Sequence, residues 1–152
     1  MPAETDLCLG AHVSAAGGVD QAPARGAEIG ADAIQVFTRN QRQWQPKPLT
    51  GPEATAFRRT WKAAGLRVVM SHGSYLVNLA APDPEKADKS YRAMEEELER
   101  CHRLGIELLN FHPGAHMKAG LEAGVARIAE ALNRLCAAHP DKRDVALVLE
   151  NV

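Results

Sequence analysis

The chain has 152 residues and a formal net charge of −1, with 45% hydrophobic and 24% charged residues, which is ordinary for a globular protein. The balanced charge excludes a broadly basic binder, so any contact with nucleic acid has to come from a local patch. No apolar run approaches the roughly 18 residues that a membrane-spanning helix needs, so we expect no membrane partner.

Five short apolar runs predict buried strands. They are continuous rather than alternating, as in parallel strands that are covered on both faces. In chain order the predicted strands are residues 7–13, 33–38, 67–71, 107–112 and 145–150.

Helical patterns lie between these strands. The first predicted helix is capped by Asp20 and ends near Gly30. The second begins with Thr50 and Glu53 at capping-box spacing and ends at Gly65. The third runs from Asp83 to Gly105, and the fourth spans about 121–138 with four residues predicted to face inward: Val125, Ile128, Leu132 and Leu135.

The cysteines indicate a reducing compartment. Cys8, Cys101 and Cys136 form an odd set without a CxxC pair, which argues against a disulfide framework. We expect the latter two to be buried thiols on the apolar faces of their helices. The first residues, MPAETDLCLG, show no secretory signal, so a cytoplasmic location is predicted.

Repeated βα units predict a parallel sheet, either open and doubly wound or closed into a (β/α)₈ barrel. Polar residues follow every predicted strand, which is typical of a TIM barrel, and no GxGxxG or GxxxxGK[ST] loop is present. A complete barrel needs eight units and roughly 250 residues. We therefore expect residues 1–152 to form a single domain that is about the first half of a TIM barrel, with four βα units and strand five.

Three predicted strands end in residue types that commonly serve as metal ligands. His72 and His112 terminate the third and fourth strands, and Glu150 terminates the fifth. Neighbouring parallel strands lie only about 4.8 Å apart, so these side chains can converge. Two histidines and a glutamate with an open position form a known catalytic zinc set. The alternative for each residue alone is an ordinary packed or surface side chain.

Other polar side chains lie on the same rim. His12 and His116 are candidates for supporting the metal ligands or contacting phosphate. The loop TRNQRQWQPKP after the second strand combines cations, amides and an aromatic ring, a mixture that suits contact with phosphates and base edges. The residues that make up this mixture are Arg39, Asn40, Gln41, Arg42, Gln43, Trp44 and Lys47. The alternative is a solvated loop.

Tyr75 and Leu76 follow the candidate ligand His72 closely. Exposed apolar side chains of this kind can enter a base stack as a wedge. The alternative is that both belong to the core.

Taken together, the motifs resemble those of the endonuclease IV family of apurinic/apyrimidinic endonucleases. They occur in the order and approximate spacing of that family, over essentially the whole chain. The motifs are GAHVSAAGG (10–18), FTRNQRQW (37–44), HGSYLVNL (72–79), NFHPGAH (110–116) and LEN (149–151).

The resemblance implies a TIM barrel that holds three zinc ions and cleaves double-stranded DNA on the 5′ side of abasic sites. His72 and His112 match zinc ligands, and Glu150 matches a glutamate that bridges two zinc ions and serves the catalytic centre. Arg42 matches an arginine that enters DNA at the lesion, with Tyr75 and Leu76 in the same wedge. At most one complete set of protein ligands for zinc lies in this chain, and the remaining ligands are expected in a second half.

The chain departs from the family pattern at Gly73, Ala115 and Val152, where an acid, a serine and a threonine are usual. Two other functions stay open. A sugar isomerase or epimerase has a similar metal-bearing barrel but needs no basic, aromatic loop. A non-catalytic half-barrel would fold only with a partner, which is either the missing C-terminal half or another copy joined through the open sheet edges.

Overall fold

A computed structural model describes residues 7–151. Val152 lies outside the described residues. So do residues 1–6, which form most of the N-terminal stretch in which we expect no secretory signal. The strands are β1 (Gly10–His12), β2 (Ala33–Val36), β3 (Val68–His72), β4 (Leu108–Phe111) and β5 (Ala146–Leu149). The α-helices are α1 (Ala22–Glu28), α2 (Gly51–Ala64), α3 (Pro84–Leu104) and α4 (Leu121–Ala138), and short 3-10 helices span Val19–Gln21 and Pro140–Lys142.

The five strands form one parallel sheet in the order β1-β2-β3-β4-β5. Each of the strands β2 to β5 pairs with the strand that precedes it in the chain, and a helix connects each pair. An open doubly wound sheet would reverse its strand order at a switch point, and the described sheet has no such reversal. The order is that of consecutive strands in a barrel, and it brings all five carboxyl ends to one edge.

The predicted helix signals at α2 and α3 are confirmed. The Glu53 N–H donates to Thr50 Oγ1 at 3.3 Å while the Thr50 N–H donates to Glu53 Oε2 at 2.8 Å, which completes a capping box. Asp83 caps α3 by accepting the Lys86 N–H at 3.0 Å. Gly65 ends α2 in the left-handed region at φ +68°, where an L side chain is strained.

The hydrophobic core lies between the sheet and the helices. Phe57 of α2, Met94 of α3 and Leu109 of β4 are completely buried, as is Phe111 at the end of β4. Burial of each such side chain contributes about 1.5–3 kcal/mol, so the core fixes the helices on the sheet and thereby the strand ends.

Three details of the sequence prediction are wrong. Cys101 is buried but Cys136 is exposed, because its neighbour Leu135 takes the inward position on α4. Val125 is also exposed, because α4 packs against the β4–α4 connection through Gly124 instead. A Cβ added at Gly124 would lie 2.7 Å from His116 Cβ. Asp20 makes no side-chain cap, since its carboxylate accepts the Gln21 side-chain amide at 2.8 Å.

Within residues 7–151, none of the helices has the length and apolar character required to cross a membrane.

Candidate metal centre

The three predicted ligands come together at the carboxyl edge of the sheet. His72 is the last residue of β3, His112 follows β4 directly, and Glu150 follows β5 directly. One ligand atom from each residue lies within 4.8 Å of the other two. The parallel register produces this convergence, since it pairs His72 with Asn110 and Phe111 with Leu149 across neighbouring strands.

The imidazole of His72 is buried and held in one tautomer. Its Nδ1 lies 2.7 Å from the Gly73 carbonyl oxygen, which can only accept, so Nδ1 carries the hydrogen and donates it. The Nε2 atom then has a free lone pair and lies 3.5 Å from Glu150 Oε2. A hydrogen bond on the distal nitrogen is the usual way that proteins orient a metal-binding histidine.

The imidazole of His112 is oriented by rings. Tyr75 stacks on it with centroids 5.8 Å apart and planes at 19°, and His72 meets it edge-on at 5.2 Å. Its Nδ1 atom is buried and has no hydrogen-bond partner among the described residues. A buried polar nitrogen without a hydrogen-bond partner costs free energy, and a bound ion or ligand would remove that cost.

Glu150 is fixed at its backbone and through one carboxylate oxygen. Its N–H donates to the Phe111 carbonyl at 3.0 Å, and its Oε2 accepts from Asn110 Nδ2 at 2.5 Å. The Asn110 hydrogen bond lowers the pKa of Glu150 below its usual value; partial burial opposes this, and the imidazoles of His112 and His72 add to it. Glu150 is therefore ionised at neutral pH, as a ligand must be.

These donors fit zinc. Two imidazoles with an available nitrogen and one ionised carboxylate match the His₂Glu set of a catalytic site that keeps an open position. The buried Nδ1 of His112, which has no hydrogen-bond partner among the described residues, is consistent with a bound ion at this donor set.

Sequence reasoning missed the role of Asn110. It lies on β4 two residues before His112, and residues at that spacing share one face of a strand. An amide inside the otherwise apolar run LLNF was the available signal. The structure shows that this buried amide contacts the carboxylate directly.

His12 and His116 differ in their contacts. The His12 ring lies 6.3 Å from that of His72, and its Nδ1 is 3.0 Å from Gln35 Oε1 on β2, a partner that the sequence did not indicate. His116 makes a local bond instead, in which Nδ1 accepts the Gly120 N–H at 3.2 Å within the β4–α4 connection.

The two arginines of the loop after β2 differ in burial. Arg42 is exposed, and its N–H donates to Asn40 Oδ1 at 2.9 Å in a local turn. Arg39 is buried instead, with 1% of its side chain exposed, so the interpretation of this residue as a phosphate contact is wrong. Its Nε lies 2.8 Å from Glu97 and its Nη1 lies 3.0 Å from Glu96, because α3 packs beneath the loop.

Among the remaining candidates for DNA contact, Tyr75 lies against the candidate metal ligands. Tyr75 is 61% exposed although one face of its ring covers His112. Leu76 is half-buried, and its N–H donates to Ser74 Oγ at 3.2 Å. Ser74 Oγ in turn donates to the carbonyl of Gln41 at 2.7 Å, so the segment after β3 is joined to the loop after β2.

Consecutive parallel strands with polar residues gathered at their carboxyl ends define the first half of a TIM barrel. The family model described as "Xylose isomerase-like TIM barrel" matches residues 23–152. The chain belongs to this xylose isomerase-like TIM barrel family.

Within the family, the chain is similar to endonuclease 4 proteins. "Probable endonuclease 4" of Halorhodospira halophila is 65% identical over 144 residues, which are 95% of this chain and 48% of that protein. "Probable endonuclease 4" of Geobacter sulfurreducens is 53% identical over 92% of this chain and 47% of that protein. The chain spans about half the length of the curated relatives it matches.

A solved structure agrees. Endonuclease IV from Thermus thermophilus superposes with a TM-score of 0.79 at 32% identity, covering 94% of this chain and 51% of that chain. A D-psicose 3-epimerase superposes with a TM-score of 0.69 at 16% identity, covering 93% and 51%, which shows a shared fold alone. The resemblance to the endonuclease IV family and the prediction of a half TIM barrel are confirmed.

Proposed function

We propose that this chain contributes the first half of a zinc-dependent endonuclease that hydrolyses the DNA phosphodiester 5′ to abasic sites in base excision repair. The observation that carries the proposal is the convergence of His72, His112 and Glu150 within 4.8 Å at the carboxyl edge of the sheet. The similarity to endonuclease 4 proteins supports the same reaction class.

The chain's own residues supply a binding site for one zinc ion. His72 and His112 offer imidazole nitrogens, and Glu150 offers an ionised carboxylate that is also the candidate catalytic residue by family resemblance. A zinc ion held by these residues would supply Lewis-acid chemistry, which suits polarising a phosphoryl oxygen and activating water near neutral pH. Glu150 matches a residue that bridges two zinc ions, and the further zinc ions of the family would need additional ligands beyond these three residues.

Double-stranded DNA containing an abasic site is the proposed substrate. Arg42 is exposed beside Asn40 and Gln41 on the loop after β2, which suits contact with phosphates and base edges. Tyr75, with Leu76 next to it, stands partly exposed over the metal cluster, which suits a wedge at a damaged site. Such sites cost least to unstack, so the wedge would favour them.

The whole activity needs more than this chain, since the relatives are about twice its length. We treat residues 1–152 as one domain whose β1 and β5 edges accept further strands, from a C-terminal half or from another copy. His12 and His116 are proposed as supporting or phosphate-contacting residues, and the cytoplasmic location stays a prediction.

A sugar epimerase is the second candidate function, favoured only by the fold shared with D-psicose 3-epimerase. The loop with Arg42 and the exposed ring of Tyr75 have no evident use in binding a small sugar. A test of both reactions separates the two functions.

The decisive experiment mixes this chain with a polypeptide that carries the second half of the Halorhodospira halophila relative. We expect zinc-dependent incision of a duplex on the 5′ side of a single tetrahydrofuran abasic analogue, and no incision of the intact duplex. Arg42→Ala should weaken incision at least tenfold with unchanged zinc content, whereas Arg59→Ala, an exposed arginine on α2, should not. Ketose epimerisation without incision would overturn the proposal.

A further inference from the structure

Asn110 is buried in β4 and contacts the one candidate ligand that is otherwise loosely held. Its side-chain amide lies 2.5 Å from Glu150 Oε2, the same oxygen that lies 3.5 Å from His72 Nε2. The Glu150 side chain is 45% exposed, so solvent and protein both compete for its carboxylate.

The chemistry of the contact fixes the orientation of the amide. An ionised carboxylate only accepts hydrogen bonds, so an amide oxygen facing it at this distance would be repelled. The Nδ2 hydrogens must therefore point at Glu150. A donor without a lone pair holds a carboxylate and leaves the remaining lone pairs of both oxygens free for a cation.

The backbone around Asn110 makes this donor rigid. The sheet register pairs Asn110 with His72 on one side and with Val148 on the other. The Asn110 carbonyl accepts the Gly73 N–H at 2.7 Å, and the residue is 6% exposed. A donor held between two strands limits the rotation of Glu150, whose own strand ends at the preceding residue.

We infer that Asn110 is the positioning residue for Glu150, holding the carboxylate towards the two imidazoles before a metal ion arrives. The inference deepens the proposed function and rests on its metal site. Partners of this kind typically affect metal affinity by about 10- to 100-fold. The alternative role, a purely structural buried amide, predicts lower stability with no specific effect on the metal.

The test measures Zn²⁺ affinity of the 152-residue chain by competition with a chromophoric chelator, with thermal melting in parallel. Asn110→Leu should bind Zn²⁺ roughly 10- to 100-fold more weakly. Its Co²⁺ form should show an altered visible spectrum, since the spectrum follows the coordination geometry. Thr38→Val is the matched control, since Thr38 is buried and donates to Glu97 Oε2 at 2.8 Å without touching a candidate ligand. It should melt earlier but bind Zn²⁺ as tightly as the unmodified chain.

A double-mutant cycle shows whether Asn110 acts through Glu150. In a Glu150→Gln background, Asn110→Leu should change Zn²⁺ affinity by less than about twofold. An undiminished effect in that background, an unchanged affinity in folded Asn110→Leu, or an equal loss in Thr38→Val would each overturn the inference while leaving the proposed function in place. If the leucine variant fails to fold, Asn110→Thr carries the same test, because threonine suits a strand but is too short to reach the carboxylate. An unmodified chain that binds no Zn²⁺ would overturn both proposals.

Discussion

The hydroxyl of Ser74 donates a hydrogen bond of 2.7 Å to the backbone carbonyl of Gln41. Ser74 precedes Tyr75 and Gln41 precedes Arg42, so this hydrogen bond joins the two segments that carry the proposed wedge. The hydroxyl also accepts the Leu76 N–H at 3.2 Å, which orders the turn after β3. The buried Ser74 side chain therefore helps to set the spacing between Arg42 and Tyr75.

Ser74→Ala should loosen this connection. We expect roughly fivefold weaker binding of an abasic duplex by the restored barrel, equivalent to about 1 kcal/mol, with unchanged zinc content. Fluorescence anisotropy measures the binding. Ser90→Ala is the control, because Ser90 is also buried but bonds the Asn78 N–H. Equal losses in the two variants would show that the effect is one of general stability.

Zinc binding should require both histidines of the cluster. Equilibrium dialysis of the chain should give no more than about one zinc per chain, and His72→Ala with His112→Ala should abolish it. His102→Ala is the matched control, since His102 faces Asp144 at 2.9 Å on an exposed surface. Zinc retained by the double variant would place the ligands elsewhere.

The buried ion pair beneath the loop after β2 should matter more than its exposed counterpart. Arg39→Met removes the ion-pair partner that lies 2.8 Å from buried Glu97, although the carboxylate keeps its hydrogen bond from Thr38, so we expect a loss of about 3 kcal/mol in the free energy of unfolding. Lys47→Met breaks the pair with Glu53 at 3.0 Å, in which Lys47 is 80% exposed, and should cost less than about 1 kcal/mol. Urea unfolding compares the two, and similar losses would contradict the expectation.

The capping box of α2 should give a defined dependence of stability on acid. Hydrogen bonds from the Thr50 backbone and side chain, together with Lys47, lower the pKa of Glu53 from 4.5 to about 2. Because the folded-state pKa is depressed, the stabilisation is complete above pH 4.5 and is lost as the pH falls through about 2. The melting temperatures of the unmodified chain and Glu53→Gln should therefore differ above about pH 5 and converge near pH 2. A difference that does not change with pH would contradict this.

The edges of the described sheet should cause self-association. β1 and β5 each pair with a single neighbour, and both Leu9, just before β1, and Leu149, at the end of β5, are exposed. Sedimentation velocity should detect concentration-dependent dimers or larger species, which Leu9→Lys with Leu149→Lys should reduce. Ile29→Lys, at an exposed apolar residue away from both edges, should not. A monodisperse monomer at high concentration would contradict the expectation.

The sequence predicts the strands and the convergence of the three candidate ligands well, because both follow from the alternation of strands and helices along the chain. The carboxyl ends of parallel strands lie at one edge of the sheet. The βα alternation therefore predicts that the side chains of His72, His112 and Glu150 lie close together. The burial of Arg39 could not be predicted in this way, since its partner Glu96 lies 57 residues away on α3. Asn110 was hidden for a different reason, because an amide in an apolar run has the same pattern whether it is packed or supports a ligand.

The three thiols differ in a way that makes the chain easy to follow by spectroscopy. Burial raises the pKa of the Cys101 thiol well above its usual value, so it stays protonated and unreactive towards alkylating reagents. Cys8 and Cys136 are exposed, the first just before β1 and the second on the helix that leads to β5. A maleimide donor–acceptor dye pair would attach at these two positions without any engineered cysteine. Energy transfer between the dyes would then report how the two outer strands move when a complementary half closes the barrel.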